Sequence, residues 1–339
     1  MTDSNVTNPG LEEKTRFLLS PSSYPESTEA VRLIETHMAR VFLTDHYVYK
    51  MKKPVRSSYL DFSSLEKRYV ICREELRLNR RMTDGTYLDV VPLRVDELGQ
   101  LNLGERGLPV EWLVKMRRLR EDASLPYRIN STTPQQLAPL LQRLCDFYRA
   151  AEPVSIQPEQ YLARLRHRCR ELRNQLKATE MSLDAREIDQ LANALLDFIL
   201  REAELLGERA AKGKIVEGHG DLRPEHCFLT QPPQIIDCLE FDPNLRCVDP
   251  VDELSYLALE CELLGHASLG EACVEFYYRS SGDRPAPILS NFYRAERALL
   301  RAQLAAAHLL DSDVTEPEKW RKKTREYLNA AHRYCLTLE

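Results

Sequence analysis

The chain has 339 residues, 43% hydrophobic and 29% charged, with a formal net charge of −5, so it can bury a sizeable core and gives no reason to expect a nucleic-acid or anionic-membrane surface. Its nine cysteines are scattered singly from Cys72 to Cys335 with no Cys-x-x-Cys, a pattern of reduced thiols in a cytoplasm rather than of a disulfide framework or a structural zinc site. The stretch Met1–Glu12 is polar and acidic and no apolar run is long enough to span a bilayer, so neither secretion nor membrane insertion is expected.

Residues 1–29 read as an N-terminal extension. Val41–Thr44 and Tyr47–Met51 then alternate as two strands about a tight Asp45-His46 turn. Lys50 shares a strand face with Val48, and Lys52 and Lys53 follow at once, so the functional lysine is open between Lys50 and Lys52. Before the first of these strands lies Glu35-Thr36-His37-Met38-Ala39-Arg40, whose Thr36 hydroxyl and backbone amides are available to cradle a phosphate. No Gly-x-Gly-x-x-Gly and no Gly-x-x-x-x-Gly-Lys-Ser/Thr occurs, which excludes a P-loop ATPase by motif. Ser63-Ser64-Leu65-Glu66 has the form of a capping box opening a helix to about Met82. Leu65, Tyr69, Cys72, Leu76 and Asn79 recur along it at helical spacing, and Glu74 and Glu75 lie in its middle turn. Strands over Tyr87–Val95 and Pro109–Met116 complete a small sheet.

Beyond residue 130 the patterns are helical. Leu162, Leu165, Cys169, Leu172 and Leu176 form one apolar stripe, and a second long pattern runs from Leu183 to Ala211. Arg166, Arg170, Arg173 and Lys177 line a neighbouring face, either solvated or a basic wall for an anionic acceptor. Asp249 caps a further helix, and helices are expected over Asn291–Leu310 and Glu316–Leu336. Arg294, Arg297 and Arg301 share one face, placed to brace the acidic segment or to bind substrate.

The most informative stretch is His219-Gly220-Asp221-Leu222-Arg223-Pro224-Glu225-His226, followed by Ile235-Ile236-Asp237. Cys227–Thr230 and Gln234–Ile236 are β-rich runs joined by Gln231-Pro232-Pro233, a hairpin that folds Asp237 back beside the loop. One carboxylate can then orient an attacking hydroxyl while the other, with a second group, holds a divalent metal on ATP phosphates. A lone His-Gly-Asp would be a surface loop; the whole octet with an Asp at hairpin distance is far more specific.

On these residues the chain resembles the protein-kinase-like superfamily and, within it, the aminoglycoside phosphotransferase family. The loop follows His-x-Asp-Leu-Lys-Pro-Glu-Asn, with Arg223 at the Lys position and His226 at the Asn position. Gly220 is the phosphotransferase variant and favours the small-molecule branch. The resemblance covers about residues 30–310 and implies an α+β, two-lobed protein-kinase-like fold. A small antiparallel-sheet N-lobe would occupy 30–119 and a large, mainly helical C-lobe 120–339, with catalytic loop 219–226 and metal-binding Asp237. It further implies that Asp221 orients and deprotonates the acceptor hydroxyl and that Arg223 stabilises the transferring phosphoryl group. Lys50, positioned by Glu75 rather than Glu74, would contact the α/β-phosphates. Thr36 would lie in the phosphate loop, Met116 at an adenine-contacting hinge, and His226 and Asp237 on the nucleotide metal, with Glu240 as an auxiliary contact. Asp249 and Asp252 would brace the catalytic loop.

The cofactors implied are ATP and Mg²⁺ or Mn²⁺, since an imidazole nitrogen at His226 suits a transition metal better than Mg²⁺; His226 acting through water or holding the loop stays open. The partner is a small-molecule hydroxyl acceptor, with no nucleic acid and no membrane. More narrowly, the chain is similar to an uncharacterised bacterial subgroup sometimes fused to a P-loop ATPase, a domain not expected here because the chain closes in a helix near Glu339. One alternative is a nucleotide-binding pseudokinase-like regulator, supported by the missing glycine loop and by His226. Another is a metallohydrolase ligating metal through His219, Asp221, His226 and Asp237.

Overall fold

A computed structural model describes residues 9–56, 60–179, 181, 183–310 and 316–338. The chain divides into two compact units: one holds the sequence up to Arg128 together with Glu225–Leu245, the other Ile129–Pro224 and everything from Arg246 on. The spans expected from sequence, 30–119 and 120–339, divide the chain differently, because the Asp237 hairpin returns to the sheet-bearing unit.

In that unit six strands form an antiparallel sheet in the order β1-β2-β3-β6-β4-β5. They are β1 (Arg32–Glu35), β2 (Ala39–Leu43), β3 (Tyr47–Lys52), β4 (Tyr87–Val95), β5 (Leu101–Asn102) and β6 (Leu108–Arg117). Period-two alternation sends Tyr49 and Met51 of β3 to one face, where they pack with Leu18, Tyr24, Phe42, Leu93 and Leu113. Val48 goes to the other face, against Cys72, Leu76, Tyr87, Val114 and Met116. Each large side chain so buried contributes about 1.5–3 kcal/mol.

Two helices cover these faces, α1 (Leu11–Leu18) and α2 (Leu65–Asn79). The expected extension is therefore partly core: residues 1–8 lie outside the described residues, but Leu18 and Tyr24 are buried. The cap of α2 is Ser64, whose hydroxyl accepts from Lys67 N, one residue later than the box Ser63–Glu66 predicts; Ser63 instead bonds Asp61. Buried polar groups join the two helices through β6. Lys14 donates to Val110 O at 2.7 Å and lies 3.2 Å from Glu111, while Arg68 grips both oxygens of Glu111 at 2.7 and 2.9 Å. Glu111→Ala would leave two buried cations without their carboxylate, so a loss of about 3–5 kcal/mol is expected. In urea unfolding this reads as a lower midpoint at constant slope; an unchanged midpoint would show the network to be idle.

The second unit is mainly helical. Its elements are α4 (Pro134–Ala150), α5 (Pro158–Lys177), α6 (Ala185–Arg201), α7 (Ala203–Ala211), α9 (Pro250–Leu263), α10 (Ala267–Ser281), α11 (Pro287–Ala307) and α12 (Pro317–Cys335). The short helices α3 (Leu125–Arg128) and α8 (Pro243–Arg246) lie at the points where the chain passes between units. The single pattern expected over 183–211 is two helices that meet at Glu202. Every residue of α9 from Pro250 to Cys261 is buried, and Phe198 stacks on Phe292 with centroids 4.8 Å apart. A short antiparallel ladder pairs β7 (Val216–Glu217), just before His219 in sequence, with β10 (Cys247–Val248), just before Asp249. None of the nine cysteines forms a disulfide, and eight are buried. Among the described residues no helix is long and apolar enough to cross a membrane.

Candidate active site

In the sheet-bearing unit, the hairpin of β8 (Cys227–Phe228) and β9 (Gln234–Ile235) is tied down by main-chain bonds from Leu229 N to Ala123 O and Ile235 N to Met82 O, at 2.7 and 3.1 Å. Gln234 Oε1 accepts from Asp84 N and Thr86 Oγ1. These bonds deliver Asp237 to β3, where Lys50 Nζ lies 2.8 Å from Asp237 Oδ1 and 2.8 Å from Glu75 Oε1. Glu75 is fully buried, whereas Glu74 pairs with Arg77 on the outer side of α2. Lys52 shares the same carboxylate: its Nζ is 2.6 Å from Glu75 Oε2 and also meets Glu240. Glu240, expected as an auxiliary metal contact, thus turns its carboxylate to a buried lysine.

Asp237 has φ +64°, the left-handed region that few non-glycine residues adopt, a strain of roughly 1–3 kcal/mol that its surroundings must hold. Tyr87 Oη accepts from Asp237 N at 3.2 Å and Asn79 Oδ1 from Cys238 N at 3.0 Å, so β4 and the end of α2 clamp the turn. Partial burial opposes ionisation of Asp237, but the charges of Lys50, His226 and Lys52 outweigh it and hold the carboxyl well below the usual range. Burial likewise opposes the charge on Lys50, and Asp237, Glu75 and Glu240 outweigh it, raising its pKa well above that of a free lysine. His226 Nε2 lies 3.6 Å from Asp237 Oδ2, with the His226 side chain 8% and the Asp237 side chain 45% exposed. One nitrogen and one solvent-facing carboxylate therefore converge, a donor set that fits a cation completed by phosphate oxygens and water. Among the described residues no three His, Cys, Asp or Glu side chains gather as metal ligands.

Thr36 does not present a free hydroxyl: its Oγ1 accepts from Ala39 N at 3.0 Å and closes the β1–β2 turn. Met116 is in β6, buried between Val48 and Tyr87 in strand register.

In the helical unit the loop that carries His219 and Asp221 hangs on α9. The buried carboxylate of Glu253 accepts from His219 N at 3.1 Å, from Gly220 N and from Tyr148 Oη at 2.8 Å. Two glycines permit this approach. Gly220 has φ +89°, and a Cβ on Gly218 would lie 2.6 Å from Glu253 Oε2 and 2.5 Å from Val248. His219 Nδ1 accepts from Asp221 N at 3.3 Å. Asp221 is then held at both oxygens, Oδ1 by Tyr256 Oη at 3.0 Å and Oδ2 by Arg223 Nε at 3.1 Å. Arg223, read from sequence as a phosphoryl contact, thus grips the carboxylate it follows. Asp249 caps α9 and takes both arms of Arg209; Asp252 takes both arms of Arg297. Of the three arginines on α11, Arg297 braces the acidic segment, while Arg294 meets Glu271 and Arg301 meets Glu260.

Sequence reasoning missed Glu253, Tyr256, Tyr87 and the role of Lys52. A signal existed for two of them: Asp249, Asp252, Glu253 and Tyr256 fall at i, i+3, i+4 and i+7, a polar stripe on one face of an otherwise apolar helix.

No family model matches the sequence. Uncharacterised proteins of Mycobacterium tuberculosis and Mycobacterium bovis are 31% identical over 285 residues, covering 80% of this chain and 53% of each relative; the chain spans about half the length of the curated relatives it matches. Among solved structures, the GDP complex of aminoglycoside 2′-phosphotransferase-IIIa matches with a TM-score of 0.52 at 14% identity, covering 97% of this chain and 99% of that one. Choline kinase from Cryptosporidium parvum matches with 0.54 at 12%, covering 94% and 95%. A choline/ethanolamine kinase family protein from Mesorhizobium loti matches with 0.50 at 15%, covering 96% and 98%. The α+β, protein-kinase-like fold expected from the loop motif is thus the fold of this chain, shared with aminoglycoside phosphotransferases and choline kinases.

Proposed function

We propose that this protein is an ATP-dependent phosphotransferase that moves the γ-phosphoryl group to a hydroxyl of a small molecule. The observation that carries the reading is the convergence on Lys50 of Glu75 and Asp237, each at 2.8 Å, from a helix and a hairpin far apart in sequence. Lys50, steadied by Glu75, would bind the α/β-phosphates; Asp237 with His226 would hold the nucleotide metal, which supplies charge neutralisation on the phosphates when bound. Asp221, fixed at both oxygens, orients the acceptor hydroxyl and takes its proton as the acceptor oxygen bonds to the γ-phosphorus and the bond to the β-phosphate oxygen breaks. Positioning and electrostatics supply most of the catalysis in such a transfer. The same fold in an aminoglycoside phosphotransferase and a choline kinase supports a small-molecule acceptor.

Thermal shift with ATP and Mg²⁺ or Mn²⁺ tests the reading. A ligand at a hundred times its Kd stabilises by about 2.7 kcal/mol, so a metal-dependent rise in Tm is expected; no rise with either metal in folded protein overturns it. If His226 ligates directly, Mn²⁺ will support tighter nucleotide binding than Mg²⁺, and His226→Asn will move the preference towards Mg²⁺. An unchanged preference makes His226 a bracing residue beside Asp237.

The second reading is a pseudokinase-like regulator. It is favoured by the β1–β2 turn, which carries no glycine and spends the Thr36 hydroxyl on its own backbone; the fate of phosphoryl transfer in the Asp221 variant separates the two.

A further inference from the structure

Glu75 serves two lysines, not one. Residues two apart on a strand point the same way, about 6.7 Å apart, so Lys50 and Lys52 reach one carboxylate from the same face of β3. Lys50 takes Oε1 at 2.8 Å and Lys52 takes Oε2 at 2.6 Å. The Lys52 side chain is 1% exposed, that of Glu75 0% and that of Glu240 7%, so this half of the cluster is closed to water while Asp237 is open to it. Lys52 thereby joins α2, through Glu75, to the turn that carries Asp237, through Glu240 three residues on.

We propose that Lys52 is a positioning residue for the nucleotide–metal site, holding Glu75 and the Asp237–Glu240 turn in place while Lys50 engages the phosphates; this rests on the phosphotransferase reading. Three carboxylates, Glu75, Asp237 and Glu240, face two ammonium groups, Lys50 and Lys52. When Lys50 turns to phosphate oxygens, a buried Glu75 without Lys52 would lose its cation, a strongly unfavourable state. With Lys52 present, Glu75 stays paired at Oε2 and cannot rotate. Tyr87 and Asn79 hold the backbone of the turn, where Asp237 sits in a strained left-handed conformation, and Lys52 adds a side-chain anchor at Glu240.

The test uses the whole chain and two variants, Lys52→Met and the double variant Lys52→Met with Glu240→Gln, which removes a positive and a negative charge together and keeps shape. For each, the Tm is measured, and the affinity for ADP with Mg²⁺, with Mn²⁺ and without metal is measured by calorimetry well below the Tm. The expected result is a double variant that melts close to wild type and binds ADP–metal about 10–100-fold more weakly, the size typical of a lost outer-shell partner, with a smaller loss in the absence of metal. Wild-type ADP–metal affinity in the double variant, whatever its Tm, overturns the inference and leaves Lys52 a core ion pair. If wild-type protein binds ADP with neither metal, the phosphotransferase reading itself fails and the inference with it.

Discussion

Asp221→Asn is expected to lower phosphoryl transfer by about 10²–10⁴-fold, the usual contribution of a positioned general base, while nucleotide affinity and Tm stay close to wild type. The substitution preserves shape and leaves an oxygen to accept from Tyr256 Oη, so the loop keeps that anchor. What it removes is the proton-accepting charge that Arg223 and Tyr256 hold in one orientation. The Asp221 side chain is 29% exposed and pairs with Arg223 beside it, and the amide keeps the side chain's shape, so the stability cost is small. Lys50→Ala and Asp237→Ala should have the opposite signature, a weakened nucleotide complex, because those groups lie together on β3 and the hairpin. Transfer to an acceptor found by a metabolite screen, or basal ATP hydrolysis, gives the rate. If that rate is untouched in Asp221→Asn while Asp237→Ala abolishes binding, the chain is a nucleotide sensor.

Glu253→Ala is expected to be the most damaging single change in the helical unit. The carboxylate is fully buried and accepts from two loop amides and the Tyr148 hydroxyl. Bonds to a charged acceptor contribute roughly 1.5–3 kcal/mol each, and the orphaned donors add their desolvation cost, so a loss of at least about 3 kcal/mol is expected in chemical unfolding. Because the freed amides belong to His219 and Gly220, directly before Asp221, transfer should fall in the protein that remains folded, with nucleotide affinity retained. Glu253→Gln, which keeps one acceptor oxygen, should recover part of both losses. A Glu253→Ala protein of wild-type stability would show that the loop is held by Arg297 and His219 instead.

Composition and local spacing by themselves marked out the octet 219–226 and the hairpin that brings Asp237 to His226, because those residues are contiguous on one loop and one hairpin. They also located β2, β3, β4 and β6 to within a few residues, since period-two alternation is set by the pleat, whatever packs against it. They did not foresee that Leu11–Leu18 is a helix of the core, as a short segment with charged residues on one side shows its partner only when the sheet face is built. Spacing alone did not separate Glu74 from Glu75, which are adjacent on a helix, and only the family resemblance favoured Glu75; packing buries Glu75 and leaves Glu74 with Arg77. Lys50 and Lys52 have the same strand parity, so no pattern separates them, and the fold gives both to one carboxylate. The decisive contact, Lys50 to Asp237, joins residues 187 apart in the chain. Pairings at that distance depend on how a whole sheet, a helix and a hairpin pack together, and only the tertiary structure carries that information.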